Sequence, residues 1–332
     1  MNIAINGFGR IGRNFLRALL KDSQASKKIT VAAINIGPGD IKLAAHLFKY
    51  DTLLGPFQGM VELEESTLVI NGKRIALLAQ IDPVKIDWRN YNIDWVVECT
   101  GKFTKREGAQ LHLAAGAKQV LISAPAHGED VTIIPGVNSN AFDSKKHQIV
   151  SLGSCTTNAF LPTLKVLNDA FTLTQGFMTT VHAYTNSQPL LDVERSDPRR
   201  ARAAALNIIP TSTGAGKLVG KILPELEGKI GACALRVPVG KVSLIDLSFT
   251  ATKPITAQTI NDAFTKAAQS NLKSILTITQ EPLVSSDFSG NDHSVIIDGL
   301  LTQTQGSMGT VFGWYDNEWG YSVRLKDFLM SC

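Results

Sequence analysis

Through the first 150 residues, short runs that are apolar almost throughout alternate with amphipathic stretches. Residues 3–5, 29–35, 95–99 and 119–123 are such runs, each bounded by turn-forming residues, and they predict strands. Residues 11–20 set Ile11, Phe15, Leu16, Leu19 and Leu20 along one side and predict a helix, and residues 111–117 predict another. A strand with no polar face is covered on both sides, and strands that alternate with helices build a parallel sheet from βαβ units. Beyond residue 149 the pattern changes. Residues 179–184, 232–237, 242–253 and 308–315 read as longer strands, several of them alternating, and residues 256–269 read as a helix. That pattern predicts an α+β arrangement with a mixed, largely antiparallel sheet. Residues 320–330 read as a final helix.

The first strand runs directly into Asn6-Gly7-Phe8-Gly9-Arg10-Ile11-Gly12-Arg13. The G-x-G-x-x-G spacing alone is no more than a glycine-rich turn. Between a strand and a helix it has a physical purpose. Gly7 permits the tight turn, Gly9 lets backbone approach a pyrophosphate, and Gly12 lets helix and strand pack closely. The helix N-terminus offers N–H groups to the phosphates. The expected fold class is therefore α/β. A Rossmann dinucleotide-binding domain covers residues 1–153, a catalytic domain covers 154–319, and a C-terminal helical segment, 320–332, packs back on the first domain. An acidic residue usually ends the second strand and holds the cofactor's 2′-hydroxyl. Here Ile36 stands in its place, with Asp40 four residues on. Nothing there repels a 2′-phosphate, so use of either NAD or NADP is expected.

The 332 residues are 44% hydrophobic and 19% charged, enough apolar content to bury a core and too much to remain disordered. The net charge of +4 is too mild to point to nucleic acid. No apolar run reaches the roughly 18 residues of a membrane span. There is no basic-then-apolar leader, and a cytoplasmic location is expected. The four cysteines, Cys99, Cys155, Cys233 and Cys332, lack metal-ligand spacing, and no metal is expected. A reduced setting leaves one of them free to be a working thiol. Arg195, Arg199, Arg200 and Arg202 form one dense basic segment. It is either a solvated loop face or an anion site.

Cys155 precedes a segment whose Phe160, Leu161, Leu164, Leu167 and Phe171 form an apolar helical face. Pro162 fits an early turn, so the helix is expected to begin near Thr156 or Thr157. A cysteine at a helix N-terminus is favoured as thiolate by the macrodipole, and thiolate is the nucleophilic form. His182 lies on the next strand, within reach as a base. A lone cysteine and a lone histidine would otherwise be core residues. Cys99 and Cys233 read as packing.

Ser154-Cys155-Thr156-Thr157-Asn158 resembles the active-site signature of the glyceraldehyde-3-phosphate dehydrogenase family. The resemblance spans nearly the whole chain. It includes the opening glycine motif, Ser123-Ala124-Pro125-Ala126, Pro210-Thr211-Ser212-Thr213-Gly214, Arg236-Val237-Pro238, and the run from Trp314 through Tyr321. It implies phosphorylating oxidation of an aldehyde, with Cys155 as nucleophile and His182 as base. By family position Thr185, Arg200 and Arg236 hold the substrate phosphate. Ser154, Thr156, Thr213 and Gly214 hold the attacking inorganic phosphate, Arg236 serving both. Taken alone, Thr213-Gly214 would be a simple loop cap. Arg10 and Ile11 match backbone contacts to the pyrophosphate. Thr100, Gly101 and Ser123 sit at strand ends on the nicotinamide side, and Asn317 matches the residue that holds the carboxamide. The family also implies a homotetramer, with the 187–205 loop at a subunit interface. Erythrose-4-phosphate dehydrogenase shares the thiol and histidine and is the nearest alternative. A non-catalytic nucleotide- or RNA-binding protein is the alternative of another class. Three departures from the family pattern, Ile36, Ser187 and Ile81, concern the cofactor or the loop and leave the chemistry untouched.

Overall fold

The computed structural model describes all 332 residues. They form two compact units. One comprises Met1–Ile133, Ser139–Gly153 and Ser322–Cys332, and the other Ile134–Asn138 and Ser154–Tyr321.

The first unit is built on nine strands: β1 (Asn2–Asn6), β2 (Thr30–Asn35), β3 (Val61–Glu64), β4 (Thr67–Ile70), β5 (Lys73–Leu78), β6 (Trp95–Glu98), β7 (Gln119–Ile122), β8 (Val131–Thr132) and β9 (Ile149–Ser151). Their spatial order is β3-β4-β5-β2-β1-β6-β7-β9-β8. From β5 to β8 every pairing is parallel, while β3, β4 and β5 pair antiparallel. The helices are α1 (Arg10–Lys21), α2 (Ala25–Lys28), α3 (Ile41–Lys49) and α4 (Arg106–Ala114). The chain leaves β1 to one side for β2 and later returns to the other side for β6. The carboxyl ends of β1 and β6 thus form the switch point where such sheets bind ligands. Register brings Asn35, Asn6 and Glu98 side by side there. Ile3, Ala4, Ile5 and Val96 are fully enclosed, which explains why these strands show no polar face.

Two features of this unit differ from the sequence reading. The antiparallel β3-β4-β5 edge is absent from it, because β3 and β4 have four residues each and β3 is half exposed. The helix expected at 111–117 lies at Arg106–Ala114. Gly108 and the polar first turn hide its start, and Gly116, at φ +102°, ends it. Ala115 and Ala117 are apolar for another reason, since both pack in the cluster around Trp88.

The second unit holds β10 (Leu173–Ala183), β11 (Ile209–Thr211), β12 (Ile230–Val237), β13 (Ser243–Ala251), β14 (Leu276–Thr279), β15 (Val295–Asp298), β16 (Gln303–Gln305) and β17 (Met308–Tyr315). The order is β11-β12-β10-β13-β17-β15-β14, with β16 paired to β17. Only β10–β12 and β14–β15 are parallel. Its helices are α5 (Cys155–Phe171), α6 (Ala215–Ile222) and α7 (Ala257–Gln269). Phe160, Leu164 and Leu167 of α5 pack with Ile245, Leu247 and Val311 in one core. The strict alternation of β13, buried at every second residue, is that of a sheet with one covered face.

Pro162 requires a correction. It is the eighth residue of α5 and not part of an early turn, and the first helical residue is Cys155 itself. An interior proline costs about 3 kcal/mol or more through the missing N–H and the ring clash. The enclosed apolar face of this 17-residue helix offsets it. The last helix, α8 (Trp319–Ser331), follows β17. Its residues from Ser322 onward belong to the first unit, where Phe328 meets the edge of Trp95 at 5.6 Å and Lys326 pairs with Asp22 at 2.6 Å.

Candidate active site

Cys155 opens α5 behind a double cap. Ser154 Oγ accepts from the Thr157 N–H at 3.2 Å, and Thr157 Oγ1 accepts from the Ser154 N–H at 2.7 Å. The paired bonds fix the first turn and so the direction of the Cys155 side chain. Thr156 Oγ1 lies 3.0 Å from the Tyr315 hydroxyl, which is also 2.7 Å from Thr180 Oγ1. Tyr315 therefore ties the helix start to β10. Its ring meets that of His182 edge-on at 6.0 Å. The sequence reading gave Tyr315 no role. Alternating burial along β17 turns Tyr315, its last residue, inward.

His182 is the penultimate residue of β10, and its Nε2 lies 3.5 Å from Cys155 Sγ. Parallel register sets Arg236 of β12 directly beside it. His182 Nδ1 lies 2.6 Å from the Ala183 carbonyl oxygen and 2.6 Å from Arg236 Nη1, which also donates to that carbonyl at 3.0 Å. Burial and the Arg236 charge push the His182 imidazole down to about 3. Burial also pushes the Cys155 thiol up, against the opposing pull of Arg236 and the helix-start N–H groups. The expectation that the helix terminus alone yields a thiolate is thus corrected. Burial outweighs the macrodipole there.

Arg236 is half-buried and pairs with no carboxylate. Burial lowers its guanidinium, and the charge of Arg200 lowers it further. Arg200 is held by Thr211 Oγ1 at 2.7 Å and the Ser212 carbonyl at 3.3 Å. The basic segment divides: Arg202 is spent on Asp192 at 2.6 Å, while Arg200 joins Arg236. Two neighbouring cations, one of them with no carboxylate partner, have the chemistry that suits an anion. The Thr185 hydroxyl touches Ser187 Oγ at 2.8 Å. Thr213 Oγ1 accepts from the Ala215 N–H at 3.2 Å, so the loop-cap reading holds for its lone pair, and the hydroxyl keeps a proton to donate. A Cβ on Gly214 would meet nothing within 4 Å. Ser243 Oγ accepts from the Ala183 N–H at 3.1 Å and donates to Asn317 Oδ1 at 3.0 Å. The Asn317 amide is thereby oriented with its NH₂ outward from that bond.

In the first unit, Gly7 has φ +94°, and a Cβ there would stand 2.7 Å from the Thr100 nitrogen. A Cβ on Gly12 would stand 2.3 Å from the Gly7 carbonyl oxygen. A Cβ on Gly9 would meet nothing within 4 Å, and Gly9 caps α1 without a side-chain bond. Arg10 forms a bidentate ion pair with Asp51, so its side chain is committed and its backbone, with that of Ile11, lines the first turn. Open space at a helix N-terminus beside a side-chain-free residue fits a pyrophosphate. Ser123 Oγ donates to the Glu98 carbonyl at 2.8 Å, and Gly101 turns at φ +69°. The Thr100 N–H donates to Glu98 Oε1 at 2.7 Å. Glu98, which the sequence reading passed over, is enclosed and also bonded by Asn6 Nδ2 at 2.5 Å and His112 Nε2 at 3.1 Å. Trp88 Nε1 donates to His112 Nδ1 at 3.3 Å, which leaves the ring proton on Nε2 for Glu98. The network braces the strand ends that carry Gly7 and Thr100. Burial raises Cys99 to about 12, far from a working thiol. Cys233 Sγ lies 3.4 Å from Thr179 Oγ1 on the adjacent strand.

Comparison with known proteins agrees along the chain. Residues 1–106 match the family described as glyceraldehyde 3-phosphate dehydrogenase, NAD binding domain, and residues 154–317 match its C-terminal domain. A glyceraldehyde-3-phosphate dehydrogenase of Priestia megaterium is 51% identical over 98% of this chain and 96% of its own length. Those of Bacillus subtilis (number 1) and Geobacillus stearothermophilus are each 49% identical over the same shares.

The chain belongs to the glyceraldehyde-3-phosphate dehydrogenase family.

Family membership makes it an oxidoreductase that acts on an aldehyde and uses NAD(P), with a Rossmann unit and an α+β unit. No helix of the chain is long and apolar enough to cross a membrane.

Proposed function

We propose that this chain oxidises glyceraldehyde 3-phosphate to 1,3-bisphosphoglycerate, with inorganic phosphate as second substrate and NAD or NADP as hydride acceptor. The observation that carries the reading is a sulfur at a capped helix start, 3.5 Å from an imidazole that is itself in contact with an arginine lacking a counter-ion. Cys155 Sγ forms the C–S bond to the aldehyde carbon, giving a thiohemiacetal. An aldehyde carbon releases hydride readily only once it is tetrahedral. His182 Nε2 then takes the hydroxyl proton as the C–H electron pair leaves, and the product is a thioester on Cys155. The nicotinamide, when bound, supplies the hydride acceptor. Phosphate attacks the thioester, and the thiolate leaves.

Ser154, Thr156, Thr213 and Gly214 take the attacking phosphate, Thr185 and Arg200 the substrate phosphate, and Arg236 serves both. Gly7, Gly9, Arg10, Ile11 and Gly12 receive the pyrophosphate. Thr100, Gly101, Ser123 and Asn317 act on the nicotinamide half. The names of the relatives support the glyceraldehyde substrate over erythrose 4-phosphate. The enzyme works as a homotetramer in the cytoplasm, where its thiol stays reduced. In support, Leu190, Leu191 and Val193 of the 187–205 loop, with Leu206 and Ile208 just after it, are exposed, Leu190 by 84%, as suits a subunit interface.

Ile36 follows β2, and the Asp40 side chain caps α3 through the Lys42 N–H at 2.7 Å. No carboxylate stands at the end of β2, where Ile36 lies, to exclude a 2′-phosphate, and both cofactors are accepted. The test is phosphate-dependent reduction of NAD and NADP with each aldehyde. Cys155→Ala should abolish it, and His182→Asn should cost about 10²–10⁴ in rate. Near-full activity in either variant would overturn the assignment. A preference for NAD above about a thousandfold, about 4 kcal/mol, would overturn the relaxed cofactor choice.

A further inference from the structure

Asn317 is 5% exposed, and its Nδ2 has no hydrogen-bond partner within the chain. Its Oδ1 is held by the hydroxyl of Ser243, a fully enclosed residue, at 3.0 Å. The direction of that bond is set one step further back. The Ala183 N–H can only donate, and it donates to Ser243 Oγ at 3.1 Å. Ser243 has one proton to give, and Asn317 Oδ1 is the acceptor within its reach. With the amide turned over, Ser243 Oγ would accept from both neighbours, and its own proton would be enclosed without an acceptor, at the desolvation cost of the group. The run from the Ala183 N–H through Ser243 to Asn317 therefore goes one way and ends on a free NH₂ group.

The backbone around Asn317 is fixed independently. Ser243 pairs with Tyr315 across β13 and β17. The Asp316 carboxylate accepts from the N–H groups of Gly290, Glu318 and Trp319 and pairs with Lys241 at 3.0 Å. Lys241 and Ser243 thus grip Asp316 and Asn317, neighbour on neighbour. Rotation of the Asn317 side chain is the freedom left, and the Ser243 bond removes it.

We infer that Ser243 is a positioning residue for the cofactor: it sets which end of the Asn317 amide meets the nicotinamide half, so that the site reads the carbonyl oxygen of the carboxamide and not its NH₂. This rests on the proposed role of Asn317. A donor held without a partner favours a ligand that brings it an acceptor, because little side-chain freedom remains to be lost on binding. Specificity follows from the direction of the run. A dinucleotide keeps its affinity when the carboxamide NH₂ is replaced and loses it when the carbonyl is removed.

The test is calorimetric titration of the full chain with three dinucleotides: NAD, the analogue with a methyl ketone in place of the carboxamide, and the analogue with an unsubstituted pyridinium. For the wild type, NAD and the ketone should bind within about threefold of each other, and the unsubstituted analogue about five- to tenfold more weakly, the worth of one net hydrogen bond. A ketone as weak as the unsubstituted analogue would overturn the inference, since the amide would then be reading the NH₂. This comparison needs no variant, so a misfolded variant leaves it intact. In Ser243→Ala the step between the ketone and the unsubstituted analogue should shrink to about twofold or less, while the unsubstituted analogue binds as before. Equal weakening of all three ligands, which a merely structural role would give, would overturn the inference. Asn317→Ala separates the two readings. If it removes the step and Ser243→Ala does not, Ser243 alone loses its role. If the step survives Asn317→Ala, the nicotinamide role of Asn317 falls, and the inference with it.

Discussion

A histidine buried neutral makes the fold sensitive to acid, and the size of that effect follows from the site. His182 is 5% exposed, and burial with the Arg236 charge lowers its pKa from 6.5 to about 3. Below about pH 6.5 the unfolded ring takes up a proton, while the folded ring stays neutral down to about pH 3. In that window the unfolded state binds more protons, so stability falls as the pH falls. Its contribution is fully present above pH 6.5. At pH 5.0 the loss amounts to about 2 kcal/mol, from the ratio of the two binding polynomials. His182→Asn keeps an acceptor for Arg236 and removes the titration. Thermal midpoints of both proteins at pH 7.5 and 5.0, in phosphate-free buffer with matched salt, isolate the term. For a unit of this size, 1 kcal/mol moves the midpoint by about 2–4 °C. The wild-type midpoint should therefore drop by about 4–8 °C more than the variant's between the two pH values. Equal drops, or a larger drop in the variant, would refute the claim that the ring is held neutral.

Tyr315→Phe removes the hydroxyl shared by Thr156 and Thr180 and should cost about 1–3 kcal/mol in urea unfolding. An unchanged unfolding midpoint would show that the bridge contributes nothing. Gly12→Ala puts a methyl 2.3 Å from the Gly7 carbonyl oxygen, so backbone must shift. A loss of about 1–3 kcal/mol and a raised KM for the cofactor are expected, and wild-type behaviour in both would contradict the packing role. Lys241 and Asp316 form an enclosed ion pair at 3.0 Å, next to Asn317. Lys241→Met removes the counter-charge of Asp316, whose carboxylate keeps the N–H groups of Gly290, Glu318 and Trp319, so a loss of about 1–3 kcal/mol by chemical denaturation is expected, and no loss would contradict that reading.

The parallel strands of the first unit were legible because burial on both faces leaves an unbroken apolar run, as in residues 3–5 and 95–97. The glycine motif was legible because each glycine answers a local demand, as the clash distances at Gly7 and Gly12 show. Cys155 and His182 stood out through their residue types and neighbouring strings. The short edge strands β3 and β4 left no such signal, since strands of four residues carry little pattern. Pro162 misled for a related reason. Propensity is local, and the core that holds α5 together across it is not.

By itself the sequence determined the two kinds of sheet, the nucleotide turn, and a thiol and a histidine as the reactive pair. What only the tertiary structure decided is how that pair is governed. The parallel register of β10 and β12 sets Arg236 against His182, and β17 brings Tyr315 beneath both the helix start and the ring. These contacts join residues 54 and 159 positions apart, and no local pattern records them. Burial, which is a property of the assembled unit, then reverses the sign expected for Cys155 from its helix terminus alone.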